Sequence, residues 1–266
     1  MKNLAFLFPV ILLFFACGSP EANQNEEQTE ETTMEETTSS YTLTPFSPSP
    51  SFDDAAINEM TYQGKKFNYT IGGDSYQLGV QTSDAPQKMC ANSAKGQHIH
   101  LIVDNEPYAA KYESTFDYDI ADGEHYILSF LSRSYHESIK TDAAHKAVKV
   151  NVKDGSFESS EPITQPMLFY SRPKGTYVGK AETEKVMLDF YLVNTTLGMD
   201  NKVKVEINGE EVATVDTWQP YYIEGMGMGD NTVKLTLVDK DGNAVDTPLN
   251  PVERTFTLQE DPAPEK

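Results

Sequence analysis

The hydrophobic pattern of the chain is dominated by alternation with a period of two residues. Apolar residues occupy every second position in 202–207 (KVKVEI), 232–238 (TVKLTLV), 146–152 (KAVKVNV) and 254–258 (RTFTL). Such alternation is typical of β-strands with one buried face. A longer apolar run at 186–193 (VMLDFYLV) indicates a more deeply buried strand.

Short polar turn sequences separate these segments. They read DNEP, ADGE, INGEE and DKDGN, which combine the residues that tight turns favour. Only DDAAINEM (53–60) and TDAAHKAV (141–148) have the composition of short helical turns. The chain is therefore predicted to be all-β and to fold as β-sandwiches.

The chain also repeats itself. Residues 130–152 align without a gap with 236–258, and 102–112 (IVDNEPYAAKY) parallels 206–216 (EINGEEVATVD). A repeat of this size predicts two tandem immunoglobulin-like sandwiches of roughly 100 residues each. We place the first domain at 52–158, the second at 159–260 and a C-terminal tail at 261–266.

The N-terminus carries the pattern of an export signal. An apolar run from Leu4 to Ala16 is too short to span a bilayer, which takes roughly 20 residues. It ends in FFACG, which resembles the lipobox of bacterial lipoproteins. That resemblance implies cleavage after residue 16 and lipidation of Cys17, and hence a membrane anchor.

Residues 17–51 are predicted to form a disordered tether, because they hold seven glutamates, many Thr, Ser and Pro, and no Lys or Arg. Acidic residues soon after the lipid-bearing cysteine resemble the surface-export signals of Bacteroidota lipoproteins. We expect a cell-envelope, outer-membrane lipoprotein. The tether leaves both display at the cell surface and a periplasm-facing position open.

Charge narrows the choice of partner. The chain carries −20, of which −14 falls on residues 52–266 once Lys2 and the tether glutamates are set aside. Such a domain is repelled by phosphate backbones, so nucleic acid is not an expected partner. Lipidation of Cys17 leaves Cys90 without a partner for an intrachain disulfide.

Two histidines begin the strand that follows residue 97. In the repeat alignment His98 and His100 fall on Lys202 and Lys204, which alternate with core valines. They are therefore predicted to share the outward face of their strand, exposed to solvent.

All five histidines (98, 100, 125, 136 and 145) lie in the first copy. An immunoglobulin-like topology would bring the loops 81–97 and 132–145 to one tip of the first domain. This predicts a ligand site formed by His98, His100, Arg133 and His136, with His145 as a further candidate. His125 would lie at the opposite end.

Three interpretations of that tip remain. An anionic ligand, glycan or peptide would use His98, His100, Arg133 and His136, because the planar guanidinium of arginine suits phosphate and carboxylate groups. Alternatively, zinc or copper would be bound by His98, His100 and His136 with Cys90 and Met89. Third, the protein is purely structural, with no ligand and no cofactor.

Several segments resemble a group of Bacteroidota lipoproteins often labelled phosphopeptide-binding proteins. They are AKGQHIHLIVDNEPY, FLSRSYHESIK, LFYSRPKGTY and NPVERT, and the resemblance extends over residues 45–260. It implies kinship with forkhead-associated domains and an anionic ligand. The sequence shows no Gly-x-Ser-x-Gly or His-Glu-x-x-His motif, so we expect a binding module and not an enzyme.

Overall fold

The structure is a computed structural model that describes residues 40–262, and nearly all of its regular structure is β-strand. The predicted all-β class is thereby confirmed. The predicted signal, Cys17, most of the tether and the end of the tail lie outside the described residues. Within the described part of the chain, no helix is long and apolar enough to cross a membrane.

The described chain contains seventeen strands, one α-helical turn and two 3₁₀ turns. In chain order they are β1 (Thr42–Pro45), β2 (Ala56–Gln63), β3 (Lys66–Gly72), a 3₁₀ turn (Ala85–Gln87), β4 (His98–Val103), β5 (Ala109–Lys111), β6 (Thr115–Asp117), β7 (Gly123–Ser132), a 3₁₀ turn (Asp142–Ala144), β8 (His145–Lys153), β9 (Ser156–Pro162), β10 (Met167–Arg172), β11 (Gly175–Val178), α1 (Lys180–Thr183), β12 (Val186–Val193), β13 (Asn201–Ile207), β14 (Glu210–Val215), β15 (Tyr221–Glu224), β16 (Gly229–Asp239) and β17 (Val252–Gln259).

These strands form four sheets that pair into two sandwiches. The first sandwich packs β2-β3-β6 against β5-β4-β7-β8-β9, and the second packs β1-β15-β12-β10 against β11-β17-β16-β13-β14. Each sandwich encloses its own apolar core, which contains Ile99 and Leu101 in the first and Val203 and Val205 in the second. The predicted tandem architecture is therefore present.

The two sandwiches repeat one pattern of strand pairing. Equivalent pairs in the two copies are His98↔Ser132 with Lys202↔Val238, Gly123↔Val152 with Gly229↔Leu258, and the isolated bridges Ser132↔Ser138 with Val238↔Ala244. The register is the same as in the sequence alignment. Positions of one copy can therefore be compared directly with those of the other.

A third apolar core lies between the two sandwiches. Ile102 and Phe130, on β4 and β7, pack with Phe169 and Tyr191, on β10 and β12. The rings of Phe130 and Tyr191 stack with centroids 5.1 Å apart. Because successive side chains of a strand point to opposite faces, β4 and β12 are buried on both faces. This explains the long apolar run at 186–193.

Three local features differ from the sequence-based expectation. Thr42–Pro45 lies in the segment predicted to be disordered, yet it forms β1 and pairs with β15 of the second sandwich. Strand β9 crosses residue 158, the expected domain end, and pairs with β8. Residues 53–60 form most of β2 and no helical turn, because Ile57 and its neighbours pair with β3. The second candidate turn does contain a 3₁₀ helix, Asp142–Ala144.

Candidate metal centre

His98 and His100 lie on β4 and have no exposed surface, so the predicted solvated face is wrong. The repeat placed them correctly on the face opposite Ile99 and Leu101, but the second sandwich covers that face. Their burial arises from packing between sandwiches, which the alternation within one strand does not encode.

His136 lies in the loop that follows β7 and adopts a left-handed backbone conformation, with φ +71°. Its counterpart in the second copy is Gly242, with φ +84°. A positive φ suits glycine and is strained for other residues by about 1 kcal/mol or more. The first copy therefore holds an imidazole at a position where the fold itself favours glycine.

The second sandwich fixes the loop that carries His136. The amide and hydroxyl of Ser138 donate hydrogen bonds to the carboxylate of Asp189 on β12, both at 3.1 Å. The ammonium of Lys140 lies 2.6 Å from the same carboxylate, and Asp189 is fully buried. This contact sets the position of the loop relative to β4.

The three histidines converge on one point. Nε2 of His98 lies 2.9 Å from Nε2 of His100 and 3.0 Å from Nδ1 of His136. One ring nitrogen of each histidine lies within 4.8 Å of the others. The structure thus brings together three of the four residues predicted for the ligand site.

Hydrogen bonding in this arrangement leaves two ring-nitrogen lone pairs facing each other. Nδ1 of His98 lies 2.8 Å from the carbonyl oxygen of Gly96, which can only accept, so Nδ1 carries the proton and Nε2 presents a lone pair. That single lone pair faces the ring nitrogens of both His100 and His136. One of them donates to it, and the other then presents a lone pair, which in His136 can accept from the hydroxyl of Tyr108. A metal ion would bind all three lone pairs at once.

All three imidazoles are held in the neutral form. Burial lowers the pKa of His98 to about 4, and the charges of Arg172 and Lys174 act in the same direction. Burial also lowers the pKa of His100 and of His136 well below the ordinary value. Neutral imidazole is the form that binds a metal, so the site needs no deprotonation near neutral pH.

Four side chains around the cluster were not among the predicted site residues. The ring of Tyr108 stacks on His100 with centroids 3.6 Å apart, and its hydroxyl lies 3.1 Å from Nδ1 of His136. The second sandwich contributes the other three, Ser171, Arg172 and Lys174. The hydroxyl of Ser171 lies 3.4 Å from Nδ1 of His100, and the ammonium of Lys174 lies 4.1 Å from the Tyr108 ring centroid.

Arg133 is tied to other groups. Its guanidinium donates to the carbonyl of Pro50 at 2.5 Å, lies 3.6 Å from the carboxylate of Glu137 and packs over the ring of Phe52. None of these partners is a histidine. Arg172, in the second Ser-Arg pair of the sequence, is the arginine whose charge acts on the cluster.

The remaining predicted ligands and histidines lie apart from the cluster. Met89 is exposed, and Cys90 packs with Phe46, Tyr135 and other apolar residues that form a separate small core. Burial raises the pKa of the Cys90 thiol to about 12. His125 pairs with Asp104 at 2.5 Å, and the ring of His145 packs on Tyr191.

The spacing of the three nitrogens suits a small divalent ion. Zinc binds imidazole nitrogen at about 2.0–2.1 Å, which places neighbouring ligands of a tetrahedral site about 3.4 Å apart. The two shortest separations here are 2.9 and 3.0 Å, and all three nitrogens lie within 4.8 Å of one another, so the rings must rearrange to admit an ion. Three imidazoles suit zinc and copper among the common metals.

Comparisons with known proteins give no family. No family model and no curated protein matches the chain. Among solved structures, the Clostridium thermocellum CbhA fibronectin(III)-like modules are similar at 14% identity and a TM-score of 0.29, over 36% of this chain and 100% of that one. The central fibronectin-III array of RIM-binding protein is similar at 11% identity and a TM-score of 0.28, over 82% and 74%.

A third similar structure is SGBP-B of a Bacteroides ovatus mixed-linkage glucan utilization locus, in complex with a heptasaccharide. It shares 8% identity at a TM-score of 0.21, over 82% of this chain and 70% of that one. Likenesses of this size support no conclusion beyond the β-sandwich class that the strands themselves display.

Proposed function

We propose that the chain is a non-catalytic envelope lipoprotein that binds one zinc or copper ion through His98, His100 and His136. The observation that carries this proposal is the convergence of three neutral ring nitrogens at a buried interface. Hydrogen bonding leaves two ring-nitrogen lone pairs facing each other, and a metal ion would bind all three nitrogens.

A bare ion suits this site better than a sugar or a peptide. Glycans and peptides contact accessible side chains, and neither His98 nor His100 has exposed surface. His136 is partly exposed, so an ion can approach from its side. The fold positions the three histidines before an ion binds, and the second sandwich covers them.

Metal binding is tested by equilibrium dialysis of the protein lacking the signal and Cys17 against zinc and against copper. We expect one ion per chain, and loss of that ion in His98→Ala and His136→Ala. His125→Ala and His145→Ala are matched controls and should keep it. Wild-type protein that retains no metal, or a His98→Ala variant that binds as well as wild type, would contradict the proposal.

A small anion is the second candidate ligand, and Arg172 is the observation that favours it. This side chain is buried, yet its Nε and Nη1 have no hydrogen-bond partner. Arg172 would take the role predicted for Arg133, with Lys174 beside it. Phosphate should then protect the wild type from thermal unfolding but not Arg172→Gln, and equal protection of both would count against an anion site.

The membrane anchor rests on the lipobox-like segment and Cys17. Replacement of Cys17 by Ala should release the protein from the outer-membrane fraction, because the lipid would be its only attachment. A Cys17→Ala variant that still sediments with the outer membrane would contradict this assignment. Protease treatment of intact cells distinguishes surface display from a periplasm-facing position.

A further inference from the structure

The three histidines leave the metal coordination one donor short. Zinc and copper sites commonly complete a set of three imidazoles with a fourth ligand. Among the His, Cys, Asp and Glu residues that the structure describes, the group at this point contains only the three histidines. The fourth donor must therefore come from a solvent molecule or from another type of side chain.

Tyr108 is placed to supply it. Strand β5 pairs with β4 through Leu101↔Ala109 and His100↔Ala110, so Tyr108 shares the face of β4 that carries the histidines. Its hydroxyl lies 3.1 Å from Nδ1 of His136, which matches the 2.9 and 3.0 Å between the ring nitrogens.

The turn that precedes Tyr108 is fixed by the second sandwich. The side-chain amide of Asn105 donates to the carbonyl of Leu168 at 2.9 Å, and its oxygen accepts the backbone amide of Tyr170 at 2.8 Å. Tyr108 itself is buried, and its ring is held against His100. Its hydroxyl is therefore held beside His136 before any ion arrives, which lowers the ordering cost of coordination.

The charges around the cluster also call for an anionic ligand. Arg172 is buried and Lys174 lies over the Tyr108 ring, so a divalent ion would bring a third cationic centre to this interface. Uncompensated buried charge is costly. Neutral histidines do not offset it, whereas a phenolate oxygen does.

The second copy of the fold shows whether the strand pairing requires these residues. The aligned pairs are His98 with Lys202, His100 with Lys204, Tyr108 with Val212 and His136 with Gly242. The strand pairing is kept in a copy that lacks all four side chains. None of the four side chains is therefore needed for the strand pairing.

We infer that Tyr108 is the fourth ligand, and that its phenolate oxygen completes an N₃O metal site with His98, His100 and His136. On coordination the metal–oxygen bond forms and the hydroxyl proton leaves to solvent. The cationic side chains of Lys174 and Arg172 then lie near a negatively charged oxygen, which offsets part of the positive charge of the metal ion. This inference rests on the proposed metal function and names one further residue of the same site.

The test is the visible spectrum of the copper(II)-loaded protein, compared with its Tyr108→Phe variant. Coordinated phenolate gives copper(II) a charge-transfer absorption that imidazole ligands alone do not give. We expect this band in the wild type, its loss in Tyr108→Phe, and a fall in copper affinity of roughly tenfold or more. One copper per chain should still bind to the variant at saturating concentration.

Tyr112→Phe is the matched control. The ring of Tyr112 lies 4.9 Å from that of His98, but its hydroxyl bonds the hydroxyl of Ser93 at 2.7 Å. This variant should keep the band. A wild type that binds copper without the band, or a band unchanged in Tyr108→Phe, would overturn the tyrosine ligand while leaving the histidine site intact. Failure of the wild type to bind any metal would overturn both.

Discussion

The left-handed backbone of His136 shows how individual residues shape the candidate site. Histidine tolerates a positive φ better than β-branched residues do, although less well than glycine. The aligned Gly242 shows the conformation that the loop requires in the other copy. The backbone conformation at this position disfavours residues other than glycine. The presence of an imidazole there therefore favours a role for the side chain itself.

A pair of variants measures this backbone preference. Asn tolerates a left-handed conformation, whereas Val is β-branched and does not. In the metal-free protein, His136→Val should lower the free energy of unfolding by about 1–3 kcal/mol more than His136→Asn. Urea unfolding gives the difference. Equal losses for the two variants would show that the strain is not present in solution.

The buried histidines predict a loss of stability in mild acid. The folded pKa of His98, about 4, lies below its unfolded value of about 6.5. Stability that is present above pH 6.5 is therefore lost as the pH falls to 4, because the unfolded chain takes up the proton first. His98 alone contributes about 3 kcal/mol over this range, and the lowered pKa values of His100 and His136 add to it.

The check is urea unfolding of the metal-free protein between pH 7 and pH 5. His98→Gln should reduce the slope of unfolding free energy against pH by about 1.4 kcal/mol per pH unit below 6.5. A His98→Gln variant with the wild-type slope would mean that this ring is protonated in the folded state.

The sequence predicted part of this site. Alternation and the repeat gave the shared face of His98 and His100, and the loop topology brought His136 to the same end. Burial was missed because it depends on the second sandwich, which no periodicity within β4 reveals. Tyr108 was missed for the same reason.

At the scale of elements, the loop from Ser132 to Lys140 is the part that assembles the site. It places His136 beside β4, and its contact with Asp189 on β12 holds it there. The isolated bridge Ser132↔Ser138 closes the loop on itself. Immunoglobulin-like topology predicted a loop over 132–145 at this end of the domain, but not its partner across the interface.

Replacement of Asp189 by Asn should loosen this loop. The change leaves the ammonium of Lys140 near a buried amide, and loss of one member of a buried ion pair costs about 3 kcal/mol or more. We expect lower stability together with weaker metal binding, since His136 is no longer held in place. The exposed pair of Lys149 with Glu124, at 2.8 Å, supplies the control.

The control variant Glu124→Gln should leave the free energy of unfolding nearly unchanged, because exposed ion pairs contribute little. Its metal binding should match the wild type. If Asp189→Asn destabilises the protein but leaves the metal affinity unchanged, the loop does not depend on Asp189 to present His136.

At the scale of the whole molecule, the two sandwiches are predicted to unfold together. They share the core of Phe130, Phe169 and Tyr191, and β1 precedes the first sandwich but pairs with the second. Trp218, the only tryptophan, packs on Tyr191 and donates to the carbonyl of Phe190 at 3.0 Å. The fluorescence of Trp218 therefore reports on the unfolding of the second sandwich and of the shared core.

Urea unfolding should accordingly give one transition, with the same midpoint by Trp218 fluorescence and by circular dichroism. A bound metal at a hundred times its dissociation constant should shift that transition by about 2.7 kcal/mol as a unit. Two separate transitions would mean that the sandwiches are independent and that the interface over the histidines opens readily.

An anomalous diffraction map from crystals grown with zinc would show directly whether the three histidines bind a metal ion. We expect one strong peak about 2.1 Å from Nε2 of His98, Nε2 of His100 and Nδ1 of His136. An empty cluster at saturating zinc, or a peak confined to surface carboxylates and His125, would contradict it.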